Sequence, residues 1–507
     1  MTAAALVSNV VARLGDTRLV VVANREPYVH VKHVRRPGFV GRLVGRKPAE
    51  RFTWMQPASG LVTALDPVMR ACGGTWVAHG SGSGDRATAD AAGRVSVPPD
   101  EPSYTLRRVW LTDREEEGYY YGLANSALWP LCHIAYARPV FDEHDWREYV
   151  EVNRRFADTV IDEIGDKRAI VFVQDYHFAL LPRMVKAARP DAVVCQFWHI
   201  PWPNAEAFRI CPWGDEILDG LLGNDLLAFH IQYHCNNFLE TVDRTLEARI
   251  DREHFAVHRG GHRTYVKPFP ISIDPGLWTS VTPGRDWARD VAATRKRLRV
   301  GEAKLVMGVD RLDYTKGIPE RLQAFERMLE RWPEWRERVV FLQIGAPTRE
   351  RIDRYHSLGE EVKAIVDRVN QHFGTKTWTP VLFRHEHHSP EEVGAIYRAA
   401  DVCVVSSLHD GMNLVAKEFI AARGDEQGVL VLSQFTGAAR ALADVVPVNP
   451  FATDEFAAAI DDSLRMAPDE QRRRMRNLRA EVLSHTVYDW AGTLLSEACR
   501  LADVRRG

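Results

Sequence analysis

Cysteine is scarce and scattered. The 507-residue chain has seven, Cys72, Cys132, Cys195, Cys211, Cys235, Cys403 and Cys499, an odd number with no CxxC pair. That spacing excludes a disulfide framework and a structural zinc ribbon, and it suits a reducing compartment. No apolar run approaches the roughly 20 residues needed to span a bilayer. The opening "MTAAALVSNVVARLGD" lacks the basic start of a signal peptide and reads as a disordered lead or a short helix. Excess charge is missing too. Lys and Arg number 66 against 68 Asp and Glu, a formal net charge of -2, so neither nucleic acid nor a membrane surface is an expected partner. No internal repeat is evident. These absences leave a soluble, cytoplasmic, globular chain with length for two domains.

What is present is alternation. Near-continuous Val/Leu/Ile runs, as in "RLVVVAN" (18–24), "GTWVAHG" (74–80), "AIVFVQDY" (169–176), "AVVCQFWHI" (192–200) and "DLLAFH" (225–230), suit parallel strands buried on both faces. A second series follows in "KLVMGVDRL" (304–312), "RVVFLQIG" (338–345), "PVLFRHE" (380–386), "DVCVVSS" (401–407) and "GVLVLSQ" (428–434). Helical patterns such as "PERLQAFERMLERWPEW" lie between them. The fold class is therefore α/β, with two doubly wound, Rossmann-like domains. The Pro- and Gly-containing stretch 272–290 places the boundary near 280. That gives domains 1–280 and 281–485, with a last helix over 486–507. The basic stretch "VKHVRRPGFVGRLVGRKPAER" (31–51) reads either as a solvated loop or as a flap over an anionic substrate.

In such sheets ligands sit at the carboxyl ends of strands, and the chemically unusual residues cluster there. Arg25 follows the first strand, and Gly60 opens an apparent helix in "ASGLVTAL". Asp175 and His177 end "FVQDYHFALLP", and His199 ends "FWHIPWPNAEAF". Arg311 and Lys316 follow a strand in "GVDRLDYTKGIPERL", and Arg349 lies in "QIGAPTRERIDRY". In "SLHDGMNLVAKEF" (407–419) an acid and a glycine precede a helix. Each has an ordinary structural reading: Arg311 and Asp313 as a local ion pair, Arg349 facing water, Asp175 and His177 as a satisfied polar pair, Asp410 as a helix N-cap. Together they gather cations, acids and histidines where a binding cleft would need them. Fixed cations and helix N–H groups suit transfer from a phosphorylated donor, because a departing diphosphate gains negative charge. Arg311 and Lys316 supply the cations and residues 413–415 the helix end. Glu418 can accept ribose hydroxyls. The cluster "HEHHSP" (385–390) lacks regular ligand spacing and reads as a polar loop rather than a metal site.

The motifs "VVVANR", "YYYGLANSALWPLCH", "VQDYHFALLP", "FWHIPWPNAEAF", "DRLDYTKGIPERL", "HDGMNLVAKEF" and "GVLVLSQFTGAARAL" resemble the trehalose-6-phosphate synthase family over about residues 18–495. These are retaining glycosyltransferases of the glycosyltransferase-B fold, with two domains across a cleft. The resemblance implies transfer of glucose from a nucleotide sugar, UDP-glucose in the main reading, to glucose 6-phosphate. Both substrates are small molecules, and the resemblance implies no cofactor and no metal. The lack of an Asp-x-Asp signature agrees with this. It assigns the acceptor to Arg25, Tyr120, Trp129, Asp175 and Arg349. The donor falls to Ser59, Gly60, Arg311, Lys316, His388, Asn413, Leu414, Val415 and Glu418. Asp410 and His199 would join Arg311 and Lys316 at the reacting centre. Substitution is front-face, the leaving phosphate oxygen taking the acceptor's proton. The family resemblance also suggests that the last helix returns to the first domain. Three features depart from the pattern: His409 stands for the usual Arg, "NREP" for "NRLP", and the first loop carries the basic insertion. "REPY" is similar to glucosylglycerol-phosphate synthases, which use ADP-glucose and glycerol 3-phosphate, so that reading is kept as the alternative. A non-catalytic sugar-phosphate sensor would show an eroded diphosphate grip, which this chain does not. Oligomeric state, including a homo-oligomer, stays open.

Overall fold

Strands covered on both faces must be apolar throughout. In Arg18–Ala23, Leu19 to Ala23 are each at most 2% exposed. The structure, a computed structural model, describes residues 2–35, 49–57, 60–279 and 287–504. It forms two compact units. One comprises Met1–Leu131, Pro139–Phe269 and Tyr488–Gly507; the other comprises Cys132–Arg138 and Pro270–Val487. The expected boundary at 280 falls in 280–286, outside the described residues.

The first unit holds a ten-stranded sheet. Seven mutually parallel strands form its body, in the order Tyr104–Val109, Thr75–His79, Arg18–Ala23, Ala169–Gln174, Val193–Phe197, Leu226–Phe229 and His262–Pro268. Antiparallel strands close both edges: Arg94–Val97 at one, and Ala256–Arg259 followed by Arg249–Asp251 at the other. In chain order the body reads third, second, first, fourth and onward. The order reverses between Arg18–Ala23 and Ala169–Gln174, and such a switch point opens a crevice.

The second unit repeats the device with six parallel strands. Their order is Val381–Arg384, Val339–Ala346, Lys304–Arg311, Val402–Val405, Val429–Ser433 and Val446–Val448. This is the 3-2-1-4-5-6 order, with its switch point between Lys304–Arg311 and Val402–Val405. All ten strands anticipated from the apolar runs are present. The α/β, doubly wound expectation holds.

Other elements carry no such signature, among them the strands Tyr104–Val109 and His262–Pro268 of the first sheet's body, its antiparallel edge strands and Val446–Val448. Val29–Arg35 and Ala49–Met55 pair as a separate antiparallel ribbon, so the basic stretch 31–51 begins and ends as strand. Its centre, 36–48, lies outside the described residues. A π-helix spans Glu117–Leu128. The side chains of Asn125 and Ser126 donate to the carbonyls of Tyr120 and Tyr121, five residues earlier, both at 2.7 Å. Such wide turns are rare and concentrate at functional sites.

The amino terminus is a helix over Ala3–Leu14, capped by the Thr2 hydroxyl, which accepts from the Ala5 amide at 3.2 Å. It buries Leu6, Val10 and Leu14, one turn apart each. The last helix, Val487–Val504, packs on the first unit's sheet. Trp490 meets Phe172 and Phe197 with ring centroids 6.2 and 5.0 Å apart, and Glu497 pairs with Lys267 at 2.7 Å. No helix of the described residues is long and apolar enough to cross a membrane. Because Trp490 is 3% exposed, Trp490→Ala should cost about 3–5 kcal/mol. A urea titration followed by far-UV circular dichroism should show an earlier transition. An unchanged midpoint would mean the helix merely rests on the sheet.

Candidate active site

At the second unit's switch point two turns meet. After Lys304–Arg311, Asp313 caps a single 3₁₀ turn, Tyr314–Lys316, its carboxylate accepting from the Thr315 amide at 3.0 Å. Gly317 follows at φ 61°, where a Cβ would stand 2.2 Å from the Ser406 carbonyl, so only glycine fits. After Val402–Val405 comes the Asp410 turn. Lys316 reaches across to it, Nζ lying 2.5 Å from Asp410 Oδ2. Burial alone would raise the Asp410 carboxyl, but Lys316, aided by Asn413, outweighs it and holds the group well below the usual carboxylate range.

A buried arginine fixes both turns. Arg321 donates to Asp310 at 2.6 Å, to the Lys316 carbonyl at 2.8 Å and to the Ser406 hydroxyl at 2.7 Å. Ser406 in turn donates to the Gly317 carbonyl at 2.7 Å. Behind the Asp410 turn sits "FTGAARAL". Gly437 would place a Cβ 2.0 Å from the Gly411 carbonyl, and its amide donates to Asp410 O at 3.1 Å.

The helix Leu414–Ala422 opens at this turn. Asp410 does not cap it, contrary to the structural reading of the sequence. Asn413 does, at φ 80°, accepting from the Ala416 amide at 3.2 Å. Asp410 lies too far upstream and is committed to Lys316, while the Asn413 amide also donates to its Oδ2 at 3.2 Å. Leu414 and Val415 supply the first amides of the helix. Glu418, one turn on, accepts from the Tyr397 hydroxyl at 3.1 Å, and burial raises its carboxyl to about 7. His409 lies against the His133 carbonyl through Nδ1 at 2.7 Å, so Nδ1 carries the proton. Burial lowers its basicity.

Arg349 does not face water. Its side chain is 5% exposed, at φ 48°, and donates to the Tyr355 hydroxyl at 2.8 Å and to Asp313 at 3.4 Å. Asp313 therefore has Arg349 as an ion partner. Burial opposes ionisation of the Asp313 carboxyl, but Arg349 and then Arg311, which ends its strand, outweigh it and lower the group. His388 follows the edge strand Val381–Arg384, near Glu386 and Glu392.

In the first unit, Arg25 lies just beyond Arg18–Ala23 and is exposed; no ion pair holds it among the described residues. With Asn24, Glu26, His79, Ser81 and Tyr120 it lines a cavity of about 340 Å³. Tyr120 projects from the π-helix and stacks on His177, with centroids 5.7 Å apart and planes 8° apart. Trp129 is buried with its ring 5.8 Å from Tyr176. Asp175 occupies φ 72°, and its Oδ1 accepts from the amides of Tyr176 at 3.0 Å and His199 at 3.2 Å. His199 donates to Gln174 at 3.0 Å, and burial drops its basicity to about 3, so the ring is neutral at physiological pH. Asp175 and His177 approach no nearer than 4.0 Å. Gly60 begins the helix Gly60–Cys72. Ser59 lies outside the described residues.

Comparison with known proteins places this geometry. The model for glycosyltransferase family 20 matches residues 17–500. The chain belongs to glycosyltransferase family 20. It is 39% identical to the trehalose-6-phosphate synthase of Mycolicibacterium vanbaalenii, over 96% of each chain. It is 37% identical to that of Mycobacterium tuberculosis strain H37Rv, over 95% of this chain and 94% of the other. Among solved structures, the E. coli enzyme bound with UDP-2-fluoro glucose superposes with a TM-score of 0.83 at 27% identity, covering 96% of this chain and 99% of that one. The Burkholderia xenovorans enzyme in complex with glucose-6-phosphate gives 0.79 at 29%, covering 95% and 100%.

Sequence reasoning reached the family 20 motifs but missed what braces them. Arg321 had a legible signal: it occupies a place in the apolar helical stripe of Ile318, Leu322 and Phe325. The π-helix left only Asn and Ser five residues after two tyrosines.

Removing the cation of the Lys316–Asp410 pair should expose its cost. In Lys316→Met, Asp410 stays largely dry and keeps only the neutral donors Asn413 and Ser407, and stability at pH 8 should fall by about 2 kcal/mol, below the 3–5 of a fully buried pair because the site opens to water. With its partner gone, the carboxyl's folded pKa rises above its unfolded value. The deficit should then shrink as pH falls toward 5 and Asp410 protonates. Thermal melts of both proteins from pH 5 to 8 test this; a pH-independent deficit would mean that Asp410 is not charged in the folded protein.

Proposed function

We propose that this family 20 enzyme transfers glucose from UDP-glucose to glucose 6-phosphate with retention, giving α,α-trehalose 6-phosphate and UDP. The observation that carries the reading is near-full-length similarity to trehalose-6-phosphate synthases at 37–39% identity, in a chain that keeps the Lys316–Asp410 turn pair. That similarity does not favour the glycerol 3-phosphate alternative.

In this reading Lys316 and Arg311 grip the donor diphosphate together with the amides of Asn413, Leu414 and Val415. Glu418 takes the ribose hydroxyls, His388 the base through its backbone, and Asp410 the hydroxyls of the moving glucose. Ser59 and Gly60 contribute a turn near the donor phosphate. Arg25, Tyr120, Trp129, Asp175 and Arg349 hold the acceptor. Lys316 binds phosphate as a point charge and Arg311 as a planar fork. Charge gathers on the β-phosphate as the glycosidic bond stretches, and groups fixed in advance stabilise it without reorganising. The leaving oxygen then takes the acceptor's proton on the face where the new bond forms. A neutral His199 suits a hydrogen-bonding role rather than that of an acid. None of the seven cysteines is in a disulfide, which suits a cytoplasmic location.

The direct test offers purified protein UDP-, ADP- or GDP-glucose with glucose 6-phosphate or glycerol 3-phosphate and weighs the product. Trehalose 6-phosphate formed from UDP-glucose is expected; a glycerol adduct alone would overturn the reading. Arg349→Ala should raise the KM for glucose 6-phosphate by about tenfold or more, with the donor KM moving less than about threefold. The reverse split would remove Arg349 from the acceptor. Because an ionised Glu418 is needed to accept two hydroxyls, the donor KM should fall as pH rises through about 7. That slope should vanish in Glu418→Gln.

A further inference from the structure

Beneath the 340 Å³ cavity lies a charge cluster that the reaction does not use. Arg108, on the strand Tyr104–Val109, has a fully buried side chain. Its Nε donates to Glu26 Oε2 at 2.7 Å, and Nη2 lies 2.9 Å from Asp85 Oδ1, 2.8 Å from His30 Nδ1 and 3.1 Å from the Tyr28 carbonyl. A guanidinium can only donate, so His30 Nδ1 is an acceptor and its proton sits on Nε2. The other oxygen of Glu26 accepts from the Ser81 amide at 3.1 Å. Asp85 collects the amides of His30 at 2.8 Å and Gly82 at 2.5 Å.

The cluster thus ties three pieces of backbone together. One is the Arg25–Glu26 segment leaving the first strand. Another is the 80–85 turn. The third is the Val29–Arg35 strand of the ribbon, which is further fastened by Gly84 N to His30 O at 2.9 Å and Lys32 N to Ser83 Oγ at 3.0 Å. Arg25, Glu26, Val29, Pro57 and Ser81 all line the cavity, so both ends of the ribbon form part of its wall. Buried charge of this kind is costly unless fully paired, and it adds little to stability compared with an apolar core. Burial raises the Glu26 carboxyl to about 8, helped by Asp85 and opposed by Arg108, while Asp85 stays below its usual range. Arg108, paired with both acids, together with the raised Glu26 carboxyl, offsets the negative charge beside Arg25. An anionic acceptor at that wall meets the Arg25 charge without an opposing carboxylate.

We propose that Glu26, Arg108, Asp85 and His30 are positioning residues that fix Arg25 and the ribbon wall around the cavity, and so set the affinity for the phosphorylated acceptor. The inference rests on the proposed reaction and on Arg25 holding the acceptor phosphate. It concerns residues that do not touch the reacting atoms.

The test measures donor and acceptor KM in Glu26→Leu, Glu26→Gln, His30→Leu and His30→Asn, with a thermal melt of each. Leu at 26 removes both acceptors. Gln keeps one carbonyl oxygen in the same volume. Asn at 30 restores an acceptor where Nδ1 stood. Glu26→Leu and His30→Leu should raise the KM for glucose 6-phosphate by about tenfold, while the UDP-glucose KM moves less than about threefold and the conservative variants recover most of the loss. If Glu26→Leu does not fold, the His30 pair decides. A purely structural role would lower the melting temperature and the active fraction and leave the acceptor KM alone; that outcome, or both KM values moving together, would overturn the proposal. Wild-type protein that makes no product from glucose 6-phosphate would instead sink the proposed function.

Discussion

Each sheet reverses its strand order at one place, and the rest of the molecule's chemistry depends on that reversal. Where a strand's right-handed connection leads to one side and its neighbour's to the other, the loops after the two strands part and leave a crevice no helix can fill. In the second unit the parted loops are the Lys316 and Asp410 turns. In the first they follow Arg18–Ala23 and Ala169–Gln174, and carry Arg25 and Asp175. Backbone in such loops is short of partners, so the side chains placed there decide what the crevice holds.

The second unit answers the crevice with a pair that waits. A partly dry cation would be unstable alone. Asp410 neutralises Lys316 at 2.5 Å, and the Asn413 side chain donates to the same carboxylate oxygen. Glycine at 317 and 437 lets neighbouring backbone close to distances that any side chain would block. Arg321 then binds the two turns from below. Turns braced in this way hold their groups in fixed positions, which is what electrostatic stabilisation of a leaving group needs.

Much of this was legible in the sequence because the relevant pattern is local. Val402–Val405 and its like are apolar through and through, and a run of that kind names its own burial. Residues just past such runs fall at the crevice by topology alone, so Arg25, Lys316 and Asp410 could be picked out one by one. What escaped depends on partners far along the chain. Nothing near Arg108 says that it will meet Glu26, 82 residues earlier. The ribbon strands Val29–Arg35 and Ala49–Met55 are basic and aromatic rather than alternating, because neither face is fully buried. The helix cap went to Asn413 rather than Asp410 because a competing charge, Lys316, had already claimed the acid.

The two units solve opposite problems in charge. At Arg25 the first unit leaves a guanidinium exposed and offsets the acids behind it with Arg108, while burial raises the Glu26 carboxyl. At Lys316 the second unit shields its cation with an acid at contact distance. A phosphomonoester that stays intact through the reaction needs an accessible counter-charge that changes little between ground and transition states, and such uniform binding sets KM. A diphosphate that gains charge as its bond breaks needs a cation whose neighbour can turn to another task at that moment. On the proposed reading, Asp410 has oxygens suited to sugar hydroxyls once Lys316 turns to phosphate. In the proposed reaction the same ion pair therefore supplies both ends of the donor contact.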